Sequence, residues 1–258
     1  MREASTYQSD RTTNDSRRRQ HVARYVAVAL FAFCILVFCV TSTHAQASAD
    51  EPFAVPTVVV PDTVLAVTWK QLLARINDDL AVVNGCRKTP HQCAVHSASK
   101  FLAIAEEGKR QEGIAKIGYI NRAATFAIKA HITADNHDKW SSPLTILSRD
   151  SGDCKDYAVL KYALLRQIGF SADSVRIIIV EVKLIHKLHA VLAIRAKKGN
   201  WLILDNLTLV LVESSVALDF YQPLYELVQD GVREFKSPPR SPLLAQSRAA
   251  MKVLRTEL

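Results

Sequence analysis

Apolar residues in the stretch TWKQLLARINDDLAVV fall at Trp69, Leu72, Leu73, Ile76, Leu80 and Val83. Steps of three and four residues place them along one stripe of an amphipathic helix. The same periodicity predicts a second helix around residues 97–107 and a third from about Ile114 to Ala130, ending before ADNHDKWSSP. Past the middle of the chain the period changes. SVRIIIVEV, LHAVLAIRA and WLILDN are short apolar runs, the first of them rich in β-branched residues, separated by KLIHK and KKGN, and they predict strands. Helices first and an antiparallel sheet after them make an α+β domain. Three prolines in residues 48–67 predict an extended lead-in, and KSPPRSP at 236–242 closes the compact part. The domain then spans residues 68–236, with a short helical tail over 237–258.

Between the two halves stands SGDCKDYAVLKYALLRQIGF, residues 151–170. Asp153 is a good N-cap, Asp156 three residues on can return to the cap as in a capping box, and Gly169 is a good terminator. Cys154 therefore sits in the first turn of a helix of about 15 residues. There the helix dipole and the unpaired backbone N–H groups favour a thiolate and can hold a developing oxyanion. A lone cysteine at a helix start is also an ordinary small apolar residue.

The N-terminus bears on which reading applies. Arg17, Arg18, Arg19 and Arg24 precede an apolar run from Tyr25 to Val40, followed by small residues at Ala45 and Ala47. That is the layout of a secretory signal peptide over residues 1–47, cleaved after Ala47, and it predicts a periplasmic protein. The alternative is an uncleaved inner-membrane anchor facing the periplasm, although 16 apolar residues are short against the roughly 20 of a membrane span. Without residues 1–47 the chain carries 27 basic and 22 acidic residues, a net of +5. No basic stripe interleaved with aromatics is present, which argues against nucleic-acid binding.

Cleavage also removes Cys34 and Cys39, leaving three cysteines. Cys86 and Cys93 are seven residues apart across Pro90, near enough to close a disulfide in an oxidising compartment. A zinc reading competes, because Cys86, His91, Cys93 and His96 offer four ligands within eleven residues, though in no common zinc spacing. Either way Cys154 is left over, and an odd thiol in an exported protein is a candidate nucleophile.

A thiol nucleophile needs an imidazole, and the imidazole needs an orienting group. His131 and His137 stand in or beside a polar loop, and His186 in the turn LIHK. His189 opens the strand LHAVLAIRA and shares a face with Val191, Ala193 and Arg195, while Asp205 ends WLILDN on the face of Trp201 and Ile203. If KKG is a three-residue hairpin loop with Gly199 left-handed, Ala196 pairs with Asn200, and Asp205 lies opposite Val191, one diagonal step from His189. A two- or four-residue loop puts the two side chains on opposite faces. A structural histidine satisfied by its neighbours is the competing reading of His189.

The segments GDCKDYAVLKYALLRQIGF and HAVLAIRAKKGNWLILDN, preceded by NHDKWSSPLTIL, resemble the bacterial transglutaminase-like cysteine proteinases, roughly from Trp69 to Phe235 and including the paired cysteines. The resemblance implies a papain/transglutaminase-like core with Cys154 as nucleophile, His189 as base and Asp205 as orienter. It implies a periplasmic protease that cuts large surface adhesins near paired alanines to release biofilm cells. Calcium dependence and sequestration by an inner-membrane cyclic di-GMP receptor are implied as well. Asp153 and Asp156 match the family's calcium ligands, but Lys155 stands where the family carries glutamate, which removes a ligand and adds repulsion. Trp140 matches a tryptophan used for receptor contact and reads equally as a residue packed beneath the catalytic loop.

The expected activity is that of an exported cysteine endopeptidase. The same triad serves transglutaminase or amidase-type acyl transfer, and a non-catalytic periplasmic scaffold of this fold is the third reading.

Overall fold

A computed structural model of the chain describes residues 51–131, 140–196 and 199–236. Residues 1–47, expected from the sequence to be a signal peptide, His137 and the tail 237–258 lie outside these residues. Among the described residues no helix is long and apolar enough to cross a membrane.

The first long helix, α1 (Val64–Lys88), begins earlier than its apolar stripe because the Thr63 side chain caps it, accepting from the Ala66 N–H at 3.1 Å. It continues past Val83 through Cys86, so the first cysteine of the pair sits in a last helical turn rather than in a loop. Helices α2 (His96–Arg110) and α3 (Gly113–Ala127) follow. The third ends three residues before Ala130: Lys129–Ala130 forms strand β2, paired in parallel with β3 (Ser151–Gly152) just before the Cys154 helix. A short α4 (Pro143–Arg149) precedes that pairing, and α5 (Cys154–Gln167) runs through the centre of the fold. From Tyr157 to Leu165 every residue of α5 is buried, so it is a core helix with no solvent face.

The lead-in is more structured than its prolines suggested. Residues Pro52–Ala54 form a single 3-10 turn, and β1 (Thr57–Val59) pairs antiparallel with β9 (Gly231–Phe235). With β4 (Val175–Val182), β5 (Lys187–Arg195), β6 (Trp201–Leu204), β7 (Val212–Glu213) and β8 (Tyr221–Val228) they form a seven-stranded antiparallel sheet in the order β1-β9-β8-β4-β5-β6-β7. The short helix α6 (Ser214–Ala217) lies between β7 and β8.

Both faces of the sheet are buried, which is why its inner strands read as continuous apolar runs. Ala190, Leu192, Ile194, Leu202 and Leu204 face the helical core with Leu160 and Leu164 of α5. Ile178, Val180, Val191, Ala193, Trp201 and Ile203 face the other way, where Phe53, Phe235 and Ala217 cover them. The lead-in is thus a strap over the second face. Glu51 and Glu226 both pair with Arg176, the latter at 2.7 Å, so the strap's first described residue is tied to a buried charge cluster.

Candidate active site

The site draws on three chain segments. Asp153 caps α5 by accepting from the Lys155 N–H at 3.1 Å and the Asp156 N–H at 3.4 Å, and the Asp156 carboxylate accepts from the Asp153 N–H at 3.2 Å. The capping box expected from the sequence is present, and it starts the helix at Cys154. Gly152 permits this turn: a Cβ there would stand 2.6 Å from the Asp156 Cβ and 2.9 Å from its Oδ2. The cap also has a chemical consequence. Two first-turn N–H groups are committed to Asp153, so the Cys154 N–H is the one the cap leaves for an oxyanion, fewer than helix geometry alone promises.

His189 and Asp205 meet through the hairpin register. Arg195 lies opposite Trp201 and Leu192 opposite Leu204, with Ala196 N–H donating to Asn200 at 2.8 Å and Gly199 at φ +85°. This is the three-residue register in which His189 and Asp205 share a face. The His189 Nε2 and the Asp205 Oδ1 are 2.8 Å apart, with both side chains buried. Asp205 also accepts from the Leu207 N–H at 3.1 Å and from the Tyr221 hydroxyl at 2.5 Å. With Nε2 engaged by Asp205, Nδ1 is the ring nitrogen that remains free of that pair, and Cys154 is among the groups that raise the imidazole.

The charges follow from these contacts. Burial pulls the His189 pKa down, but hydrogen bonds to Asp205 and Cys154 and the charges they carry outweigh it, lifting the imidazole to about 9. Burial pushes the Asp205 carboxyl up; the hydrogen bond and charge of His189, with the Tyr221 and Leu207 donors, more than reverse this and hold it below the usual range. An imidazole kept protonated beside a buried carboxylate is placed to hand a proton to a leaving group.

Two residues here were not singled out from the sequence. Tyr221 opens β8 and fixes the second oxygen of Asp205, yet nothing in FYQPLYELV marks it. Lys161 follows Cys154 by two helical turns on the same face and is only 1% exposed. Burial lowers its ammonium from 10.5 to about 7, against the opposing pull of Asp205. A charged residue within an apolar helical run was the available signal.

The remaining candidates are placed as follows. Cys86 and Cys93 form a disulfide, which removes both thiolates from the zinc reading. His131 is exposed, and His186 in the β4–β5 turn contacts Glu181 at 2.7 Å. Trp140 is half-buried against the main core, and its carbonyl accepts from Arg75 at 2.9 Å. Calcium would have to be held by Asp153 and Asp156. Lys155 pairs with Asp153, and Arg149 donates to Asp156 at 2.8 Å. Among the described residues no three His, Cys, Asp or Glu side chains converge on a cation site. Two carboxylates already neutralised by two cations do not fit an ion that takes about six to eight oxygens.

The family described as bacterial transglutaminase-like cysteine proteinase matches residues 74–220, over half of the chain. No curated protein sequence matches it. Among solved structures, LapG of Legionella pneumophila is similar at 21% identity and a TM-score of 0.51, covering 66% of this chain and 96% of its own. Its calcium-bound form is similar at 23% identity and 0.51, covering 67% and 98%. Its EGTA-treated form is similar at 23% and 0.51, covering 66% and 96%. These likenesses concern the fold, which is the α+β transglutaminase-like arrangement expected from the sequence.

Proposed function

Because the chain belongs to the bacterial transglutaminase-like cysteine proteinases, we propose that it is an exported endopeptidase working through Cys154, His189 and Asp205. The observation that carries this reading is the buried His189–Asp205 pair, 2.8 Å apart, whose imidazole is raised to about 9 in part by Cys154 at the start of α5. In the first step the thiolate adds to the scissile carbonyl, and the oxyanion takes a hydrogen bond from the Cys154 N–H. His189 then gives its proton to the leaving amine as the carbon–nitrogen bond breaks, leaving a thioester. Water attacks this thioester while His189 takes back a proton, and the acid product leaves with the thiolate restored. Asp205 stays ionised throughout and keeps the ring oriented.

The layout of residues 1–47 supports export and cleavage into the periplasm, and the Cys86–Cys93 disulfide suits an oxidising compartment. The substrate is a protein. Within that class, a large surface adhesin fits a protease of this family in the periplasm, with a cyclic di-GMP receptor of the inner membrane as regulator and Trp140 as a point of contact. The test incubates exported proteins with residues 48–258 and maps new N-termini by mass spectrometry beside Cys154→Ala. New termini that vanish in the variant are expected. Termini that persist in it, or none from any exported protein, would sink the reading.

A further inference from the structure

The calcium-bound relative raises the question of what holds the acidic start of α5 in this chain. Asp153 and Asp156 bracket Cys154 and Lys155, and two carboxylates this close repel each other unless a cation lies between or beside them. We infer that Lys155 and Arg149 are built-in counter-ions that do here what a bound divalent cation would do, so that the Cys154 turn is assembled without calcium.

Each carboxylate has its own cation. The Lys155 ammonium pairs with Asp153 Oδ2 while Asp153 Oδ1 serves the cap, so both oxygens of that carboxylate are in use. The Arg149 guanidinium donates from Nη2 to Asp156 Oδ2 at 2.8 Å. Arg149 is itself braced, donating from Nε to the Ser151 carbonyl at 2.9 Å and from Nη1 to the Ser141 hydroxyl at 3.4 Å. Its place is therefore fixed by the two segments that lead into the Cys154 turn. Of the four carboxylate oxygens, only Asp156 Oδ1 is buried without a hydrogen-bond partner. One oxygen beside an ammonium and a guanidinium is a poor site for a hard dication, which would lose most of its hydration and meet two like charges. The Lys155 side chain is 10% exposed and Asp156 6%, so solvent screens these two charges little, while Asp153 at 23% and Arg149 at 44% stay partly open to water.

Thermal unfolding and calorimetric calcium titration of the purified protein test this without reference to peptidase activity, so the outcome is independent of the proposed reaction. The parent is expected to unfold at the same temperature in millimolar calcium and in EGTA, with no titration heat. Lys155→Glu exchanges an ammonium for a third carboxylate in one turn; it is expected to unfold earlier than the parent in EGTA and to recover by about 5 °C in millimolar calcium. Lys155→Gln removes the charge without adding a ligand and is expected to lose stability with no calcium recovery, which keeps the test decisive should Lys155→Glu fail to fold. A parent whose unfolding temperature follows calcium overturns the inference. So does a Lys155→Gln variant as stable as the parent in EGTA, or a folded Lys155→Glu variant indifferent to calcium.

Discussion

Asp205→Asn isolates the electrostatic half of the site, because it keeps the shape of the side chain and removes its charge. The carboxylate is 2% exposed and bonded to His189 Nε2, the Tyr221 hydroxyl and the Leu207 N–H, so solvent cannot replace what the amide lacks. The magnitude follows from the imidazole. Its pKa is raised from 6.5 to about 9, which at about 1.4 kcal/mol per pH unit corresponds to about 3 kcal/mol of stability. That stability is fully present below pH 6.5, where the unfolded histidine is also protonated, and is lost as pH rises through about 9. The Asp205 carboxyl, held below its ordinary range, contributes above pH 3.8 and loses its contribution in acid. The parent should therefore exceed Asp205→Asn by about 2–3 kcal/mol, or roughly 8 °C in Tm, between about pH 5 and 6.5. The gap should narrow as pH approaches 9. Calorimetric scans at half-unit intervals of pH measure it directly. Peptidase activity should fall by about 10³–10⁴ in the same variant. A Tm gap that stays constant from pH 5 to 9.5 would refute the assignment of the charged pair, whatever happened to activity.

Three further changes probe parts of the site separately. Tyr221→Phe removes one hydrogen bond to Asp205 and leaves the cavity filled, so kcat should fall about tenfold with KM unchanged, as steady-state kinetics on a cleaved peptide would show; a change confined to KM contradicts an orienting role. Gly152→Ala forces a Cβ against Asp156 and should cost about 1–3 kcal/mol in urea unfolding, whereas a neutral result would mean that the capping box can shift freely. Lys161→Met exchanges a buried ammonium for an apolar chain of similar length. The cost of burying that charge is fully present below pH 7 and fades toward pH 10.5, so the variant should be more stable than the parent by on the order of 3–5 kcal/mol at pH 6 and by little at pH 10. Equal urea midpoints at pH 6 would mean that an attraction to Asp205 cancels the burial cost.

Much of the fold could be read from local pattern, because its signals are local. Trp69, Leu72, Leu73, Ile76 and Val83 are all buried on α1, and Asp153 with Asp156 forms the cap their spacing implied. The errors also have local causes. Lys129 and Ala130 look like the end of a helix but pair with Ser151 and Gly152, and a two-residue bridge to a strand 22 positions away leaves no periodic trace. The strap over residues 51–59 lies within the 48–67 stretch whose three prolines predict an extended lead-in, while its purpose, covering Ile178, Val191 and Trp201, appears only once both faces of the sheet are seen to be apolar.

The site was legible where one side chain's role depends on sequence register and illegible where it depends on which distant charge arrives beside it. His189 and Asp205 are 16 residues apart on neighbouring strands, and a single assumption about the Gly199 turn was enough to bring them to one face. Tyr221 is equally far from Asp205 along the chain, but it comes from β8, which joins the sheet beyond β4 and whose register no hairpin fixes to β6. The acidic turn divides the same way. Lys155 lies two residues from Asp153, and the sequence exposed its conflict with a cation site; Arg149 lies seven residues from Asp156, and its ion pair needs the bend made by Asp150, at φ 54°, and the Ser151–Gly152 bridge. Lys155 alone would leave Asp156 with an uncompensated buried charge, a costly state for a carboxylate that is also needed to cap the helix. With Arg149 supplied by the preceding helix, each acid of the turn has a cation from its own chain, and the start of the Cys154 helix carries little net charge of its own.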